Sequence, residues 1–269
     1  MTRGARQAAN ADIQAGNGSA HSAAPRPAAV AWGNWVRAAT RIRRMNWIRG
    51  GAIAGVIGPA GFTAGWIVAA CRQHGLAFSA PQISGLAADN ARDPWLMISA
   101  FLLLGGCAIG FGAALRAALG GRAAGPAPWL TELAGVLTIA AGLLRRDHLL
   151  LAAGPESWHN QAHNLISAGV YVLLIAVPLL LARRLRHDRR WNGLSGLLVA
   201  AAVAAAALLA ALYAEPNGSW AATLQRIGIS LPLAAIVAVA FRLILLSGTT
   251  GLTVSARLTG PPDRQYGAG

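Results

Sequence analysis

Two histidines offer the most specific chemistry in this sequence. His159 and His163 are four residues apart, so on a helix they share one face. Two imidazoles at that spacing can bind a metal ion such as zinc. A zincin motif would place Glu directly after the first histidine, where this chain has Asn160, so a protease of that class is disfavoured. A metal site would still need a third ligand, for which the candidates are Asp147, His148, His74 and Asp89. The alternative to a metal site is that the two histidines hydrogen-bond across the mouth of a helix bundle or to lipid headgroups.

An arginine inside an apolar run is the second candidate. Arg226 follows Gln225, about one turn inside the last apolar run of the chain. A guanidinium there is costly unless it is paired, hydrated or able to reach the interface. We therefore predict that Arg226 lies close to a carboxylate, Asp147 or Asp89, and near the histidine pair. Such a contact would tie the last helix to a loop. Alternatively, Arg226 binds an anionic headgroup or another carboxylate ligand.

A serine and an aspartate in the first long loop complete the candidates. Ser84 lies in a glycine-containing turn, but its flanking residues do not form GxSxG, which disfavours a serine hydrolase. Asp93-Pro94 is typical of a helix start, with Asp as N-cap and Pro in the first position. We expect a polar binding cluster made of Ser84, Asp89, Asp147, His159, His163, Gln225 and Arg226, with His159 and His163 as the candidate metal ligands.

Six apolar runs must position these residues. A helix needs about 20 apolar residues to cross the hydrocarbon core, and the runs are roughly Gly51–Cys71, Trp95–Leu115, Trp129–Leu144, Ala162–Ala182, Gly193–Tyr213 and Ala222–Leu246. Hydrophobic residues make up 55% of the chain and charged residues 12%, whereas soluble domains carry about 25% charged residues. The composition therefore excludes a soluble enzyme, and we predict an all-α integral membrane bundle of six transmembrane helices.

The charged residues predict the orientation of the bundle. The chain has 23 basic residues, all arginine, against 9 acidic ones. The arginines fall in short clusters between apolar runs and form no single basic face, so we expect no nucleic-acid partner. Of the arginines, 18 flank one side of the six runs, and the positive-inside rule predicts that both termini lie in the cytoplasm. We expect a multi-pass protein of the plasma membrane in contact with membrane lipids.

Domain organisation and function follow from this arrangement. We predict a disordered cytoplasmic tail over residues 1–46 with a basic, aromatic juxtamembrane end, a membrane domain over 47–246 and a cytoplasmic tail over 247–269. The polar residues collect in the predicted outer loops, so the favoured function is binding of a lipid or another small amphiphile in an outer pocket. The alternatives are a metal-dependent membrane hydrolase that uses the histidine pair and an accessory subunit of a membrane complex.

The chain resembles the bacterial membrane family called domain of unknown function 998. The resemblance covers about residues 48–246 and rests on several short motifs: Ser84-Gly85-Leu86-Ala87, Asp93-Pro94-Trp95-Leu96-Met97, Phe101-Leu102-Leu103-Leu104-Gly105, Asp147, Trp158-His159, His163, Pro178-Leu179-Leu180-Leu181-Ala182-Arg183-Arg184, Arg189-Arg190-Trp191-Asn192-Gly193-Leu194 and Leu224-Gln225-Arg226. It implies a six-helix membrane protein and no particular reaction. The family often has Phe-Pro-Thr-Asp after the third helix, where only Asp147 matches. A more distant similarity links Ser84, an aspartate and the HxxxH pair to membrane ceramidase-like zinc hydrolases.

Overall fold

Six α-helices make up most of the described chain. The computed structural model describes residues 27–150 and 155–258, and the helices in these ranges are α1 (Pro27–Cys71), α2 (Pro94–Ala118), α3 (Ala127–Leu143), α4 (Trp158–Leu185), α5 (Leu194–Ala214) and α6 (Ala221–Leu258). Three short 3-10 turns, Ser84–Ala87, Gly121–Ala124 and Arg189–Trp191, lie in the connections, and no strand occurs in these ranges. The predicted all-α membrane fold is confirmed.

Five of the helices are long and apolar enough to cross a membrane. They are α2, α4, α5, the Ala39–Cys71 part of α1 and the Ala221–Gly248 part of α6. The third predicted run is the shorter α3, with 17 residues, which at the rise of an α-helix amounts to about 26 Å. This length is close to the thickness of the hydrocarbon core, and α3 packs along α2 as the sixth member of the bundle.

The two ends of the chain are more helical than we predicted. Helix α1 begins at Pro27, so residues 27–46 are helical and not irregular, and α6 continues to Leu258, well into the predicted C-terminal tail. Both extensions continue an apolar helix, and a helix that already exists propagates at little cost through residues such as Ala, Arg and Leu. Residues 1–26 and 259–269 of the predicted tails lie outside the described ranges.

The chain divides into two units after Ile42, which lies within α1. In the first unit the described backbone is helical, and the Thr40 hydroxyl donates to the carbonyl of Val36 at 2.9 Å. The second unit, Arg43–Gly269, contains the rest of α1 and the other five helices. All of the candidate residues belong to the second unit.

Glycines bring α2 and α3 into backbone contact. A Cβ atom at Gly105 would lie 2.5 Å from the carbonyl oxygen of Gly135, and one at Gly135 would lie 2.5 Å from that of Gly105. A Cβ atom at Gly112 would likewise approach the carbonyl oxygen of Pro128 to 2.7 Å. Small residues of this kind let membrane helices approach closely. Gly106, by contrast, has no neighbour within 4 Å of its Cβ position.

One end of the bundle is closed by loops, which we call the roof. The roof consists of residues 72–93 between α1 and α2, 144–150 after α3, and 215–220 between α5 and α6. The Asp89 amide donates to the Arg146 carbonyl at 3.2 Å, and the Leu149 amide donates to Oδ1 of Asn90 at 2.7 Å. Nε2 of Gln82 reaches the carbonyl of Pro216 at 3.4 Å. The three loops are therefore joined to one another, as predicted for connections on one side of the membrane.

The starts of α2 and α4 are stabilised in different ways. Asp93 occupies the N-cap position of α2 and Pro94 the first position, as predicted, but the Asp93 side chain makes no capping bond and has φ of 55°. Its carboxylate instead pairs with Arg72 at 2.6 Å, because that loop arginine is within reach. In α4, Oγ of Ser157 accepts a bond from the Asn160 amide at 3.2 Å and acts as a side-chain N-cap.

Candidate functional site

Asp147 anchors the start of α4. Its carboxylate accepts a bond from the Ser157 hydroxyl at 2.5 Å and a second one from the Ser157 amide at 2.9 Å. These two bonds lower the pKa of Asp147 below its ordinary value, and they outweigh the opposing effect of burial. Nearby His159 and His148 act in the same direction as the two bonds. Asp147 is therefore a carboxylate at neutral pH that fixes the loop against the helix.

His159 joins this group but does not form a catalytic triad with it. Its Nδ1 lies 3.0 Å from Oγ of Ser157 and 3.1 Å from the carbonyl of Arg145. A triad needs the serine to donate its proton to the histidine while the aspartate holds the opposite ring nitrogen. Here the hydroxyl donates to Asp147, and the polar contacts that the ring makes with described residues are at Nδ1. The geometry supports helix capping and gives no activated nucleophile.

His163 faces the end of α3. It is 2% exposed, and its Nδ1 lies 2.8 Å from the carbonyl of Ala141 and 2.7 Å from that of Leu144. Because carbonyls only accept hydrogen bonds, Nδ1 carries a hydrogen. Nε2 is buried without a hydrogen-bond partner among the described residues. Asp147, a candidate third ligand, lies 3.5 Å from Nδ1 of His159, but no group of three His, Cys, Asp or Glu side chains in the described ranges could hold a metal ion.

Arg226 is buried in an aromatic environment and not beside a carboxylate. It is 6% exposed, Nη2 donates to the carbonyl of Pro81 at 2.9 Å, and the guanidinium carbon lies 4.7 Å from the ring of Phe78 and 5.0 Å from that of Trp66. None of the ion pairs among the described residues involves it. The predicted contact with Asp147 or Asp89 is therefore wrong, because two aromatic faces stabilise the cation instead.

Gln225 fixes the roof to two helices. Its Oε1 accepts a bond from the buried amide of Ile83 at 2.6 Å, and its Nε2 donates to the hydroxyl of Tyr171 at 2.8 Å. Ile83 immediately precedes the 3-10 turn Ser84–Ala87, which is buried along its length. A single side chain of α6 thus connects the first roof loop with α4, and it satisfies a backbone group that would otherwise be unpaired.

Beneath this turn lies a cavity in the helix bundle, which we call the core cavity. Its volume is about 100 Å³, and its walls are mostly apolar, including Phe62, Phe101, Phe111, Leu173, Leu233 and Ile236. The hydroxyls of Thr131 and Thr138 also line it, but each donates to a carbonyl of its own helix. The polar groups at the roof end of the cavity come from Ser84, Tyr171 and Gln225. The core cavity is therefore an apolar space with one polar end.

A second cavity, the roof cavity, opens among the loops. It has a volume of about 670 Å³ and a polar wall that includes Ser79, Gln82, Arg146, Asn217 and Ser219. Arg146 is 5% exposed, and its Nη1 lies 3.2 Å from Oε1 of Gln82 and 3.4 Å from Oγ of Ser84. Ser84 lines the core cavity and Arg146 lines the roof cavity, so their contact lies between the two cavities.

The carboxylates of the roof pair with exposed arginines. Asp89 pairs with Arg145 at 2.9 Å, and Asp93 pairs with Arg72 at 2.6 Å. The buried Arg146 has no such partner within 4 Å among the described residues. Burial lowers the pKa of Arg146, while the more distant groups Glu156, Tyr171 and Asp147 raise it. The guanidinium remains charged, because an arginine does not lose its proton in proteins.

The structure divides the predicted cluster into separate parts. Asp147 and His159 come together around Ser157, whereas Ser84 and Gln225 lie at the polar end of the core cavity. His163, Arg226 and Asp89 each have other partners. Sequence reasoning missed Arg146, Tyr171, Ser157 and Gln82 as members of these groups. The position of Ser157 directly before an apolar run was an available N-cap signal; the contacts of the others depend on tertiary structure.

The comparisons with known proteins identify a family and nothing finer. Neither the curated proteins nor the solved structures contain a match to this chain. A family model described as protein of unknown function (DUF998) matches residues 56–242, which include α2 to α5, parts of α1 and α6, and the roof. Because this match covers more than half of the chain, the protein belongs to the DUF998 family of proteins of unknown function.

Proposed function

We propose that this integral membrane protein binds a small amphiphile at the roof end of its bundle. The apolar part of the ligand occupies the core cavity, and its polar group lies toward Ser84, Tyr171 and Gln225. The observation that carries the proposal is the composition of the cavity, which is apolar along its walls and polar at one end. Ligand pockets commonly combine a mainly apolar wall with a few polar groups that fix orientation.

The size of the core cavity favours a small ligand over a whole phospholipid. Its volume of about 100 Å³ is somewhat below the ~150 Å³ of an engineered cavity that takes up benzene. It therefore accommodates a short alkyl group or a small ring, while two long acyl chains exceed it. The wall comes from α1, α2, α3, α4 and α6 together with the roof, so the space exists only in the assembled bundle.

The roof faces the outside of the plasma membrane in this proposal. The arginine distribution supports that orientation, because the terminal segments and the loops opposite the roof together carry 18 of the 23 arginines. Six membrane crossings return the chain to its starting side, so both termini are cytoplasmic. A reporter enzyme that works only in the cytoplasm should then be active when it is fused after Gly269. Export of the fused reporter would contradict the orientation.

Binding of hexanol tests the core cavity. Hexanol carries a short apolar chain without charge, and its affinity for the protein in lipid nanodiscs can be measured by calorimetry. Val170 lines the core cavity, whereas Val172 of the same helix is 63% exposed. We expect Val170→Phe to fill the space and abolish binding, and Val172→Phe to leave it unchanged. Ala134→Leu fills the same cavity from α3 and gives an independent second variant.

Two results contradict the proposed function. One is the absence of saturable hexanol binding to the wild-type protein. The other is that the Val170→Phe and Val172→Phe variants, both folded, bind hexanol with equal affinity, since hexanol would then bind at a site other than the core cavity. The unfolding midpoint of each variant, measured in the same nanodiscs, establishes whether it is folded before the affinities are compared.

A further inference from the structure

The roof cavity contains a buried cation whose surroundings leave part of it unsatisfied. Arg146 is one of the most buried charged residues of the roof, and its Nε–H has no hydrogen-bond partner among the described residues. Its contacts with Gln82 and Ser84 are at 3.2 and 3.4 Å and involve neutral oxygens. A buried charge is normally paired or fully hydrogen-bonded, because removal of an ion from water is costly.

Among the described residues, no carboxylate lies within 4 Å of Arg146. Asp89, Asp93 and Glu132 pair with other arginines, Asp147 binds Ser157, and Oε2 of Glu156 accepts a bond from Asn164. The sequence between the described ranges, residues 151–154, is Leu-Ala-Ala-Gly and adds no acidic side chain. A ligand can therefore supply the close counter-ion that the described residues do not give Arg146.

The other buried arginine of the roof end provides a comparison. Its Nε, like that of Arg146, has no hydrogen-bond partner among the described residues, but Arg226 has the carbonyl of Pro81 as an acceptor and two aromatic rings around its guanidinium. These contacts can stabilise a cation without any ligand. In the described part of the chain Arg146 has no comparable ring contact. It also forms part of the wall of a cavity of about 670 Å³, which is large enough for a small molecule.

We infer that Arg146, with Gln82 and Ser84, binds the oxyanion of a ligand, a carboxylate or a phosphate, at the point where the roof cavity meets the core cavity. A guanidinium can donate two parallel hydrogen bonds to such a group. The Ser84 hydroxyl accepts a bond from Nη1 and can donate its own hydrogen at the same place, whereas Gln82 positions Nη1 through Oε1 and donates its Nε2 to the Pro216 carbonyl. The anionic end of one amphiphile then lies in the roof cavity and its apolar end in the core cavity. This placement rests on the proposed function. A free oxyanion would need the roof cavity alone.

Four probes separate these sources of the oxyanion. Hexanoate has both the charge and the short chain, hexanol has only the chain, and acetate and inorganic phosphate have only the charge. Each is titrated into the protein in nanodiscs of zwitterionic lipid at about pH 7, where the carboxylates are ionised. Tighter binding of hexanoate than of acetate supports an amphiphile, and equal binding of hexanoate, acetate and phosphate supports a free oxyanion. Either result supports the site at Arg146 when the binding depends on Arg146.

Adjacent arginines provide a matched pair of variants. Arg146→Gln should weaken hexanoate binding about tenfold to hundredfold, the range for losing a charged hydrogen-bond pair, and should leave hexanol binding within about threefold. Arg145→Gln removes the neighbouring arginine, which is 44% exposed at its side chain and pairs with Asp89, and should leave hexanoate binding within the same limit. Arg146→Lys keeps the charge but not the planar guanidinium, so its affinity for hexanoate should fall between the affinities of wild type and Arg146→Gln.

The outcomes distinguish this inference from the proposed function. Equal hexanoate affinity for wild type and Arg146→Gln, with hexanol still bound, would overturn the oxyanion site and leave the core cavity intact. If the wild-type protein does not bind hexanol but binds phosphate or acetate in a way that depends on Arg146, the result would contradict binding in the core cavity and support the oxyanion site. Retained hexanol affinity in Arg146→Gln also shows that this variant is folded.

Discussion

Gln225 makes the closest polar connection between the roof and the helices, so its removal should be costly. In a Gln225→Leu variant of similar volume, the buried Ile83 amide loses its acceptor and the Tyr171 hydroxyl loses its donor. An unsatisfied buried backbone group costs about 1–3 kcal/mol, and an interhelical side-chain bond in a membrane protein contributes about 0.6 kcal/mol. We therefore expect the free energy of unfolding to fall by about 2–3 kcal/mol.

A double-mutant cycle separates the two bonds. Unfolding by sodium dodecyl sulfate in mixed micelles gives the free energy of each variant. Tyr171→Phe alone should cost about 0.6 kcal/mol, and it should add nothing to Gln225→Leu, which has already removed the shared bond. Gln161→Leu is the control, because Gln161 donates to the Glu156 carbonyl on the exposed surface, and it should stay within about 0.5 kcal/mol of wild type. A Gln225→Leu protein as stable as the control would refute the contact with Ile83.

Three further variants, with Gly106→Ala as a control, test how the roof is held. Gly85→Ala should destabilise the protein, because a Cβ atom there would overlap the carbonyl oxygen of Leu149, whereas Gly106→Ala meets open space and should be neutral or stabilising in a denaturant titration. The pKa of Asp147 is lower in the folded protein than in the unfolded chain. The contribution of Asp147 to stability is therefore present above a pH of about 4 and disappears as the pH falls through the lower pKa of the folded protein. Asp147→Asn should remove this part of the pH dependence of the unfolding midpoint. Arg72→Gln breaks a half-exposed ion pair and should change the free energy of unfolding by less than about 1 kcal/mol.

The fold could be predicted from the sequence because its signals are local. Apolar runs of membrane-spanning length and the Asp93-Pro94 helix start are visible without knowledge of the tertiary structure. The helix ends were less predictable. Residues 27–46 look irregular by hydrophobic pattern, but they continue an existing helix, and propagation needs little apolar surface.

The site was harder to predict because it depends on which neighbours each charge finds. Arg226 was expected to need a carboxylate, yet the rings of Trp66 and Phe78, distant in sequence, provide the stabilisation. Arg146 follows Arg145 and looks equivalent in the sequence, but Arg145 is half-exposed and paired whereas Arg146 is buried. No periodic pattern distinguishes two adjacent loop residues. Their difference appears only when the roof loops pack together.

The position of a bound amphiphile tests the central proposal most directly. Crystals grown in a lipid mesophase and soaked with ω-bromohexanoate give an anomalous signal that locates the bromine atom at the apolar end of the probe. We predict a bromine peak inside the core cavity, beside Val170 and Leu233, with the carboxylate at the Ser84 end. A peak confined to the lipid-facing surface near Val172, or a core cavity without bromine when the probe is saturating, would contradict the proposal.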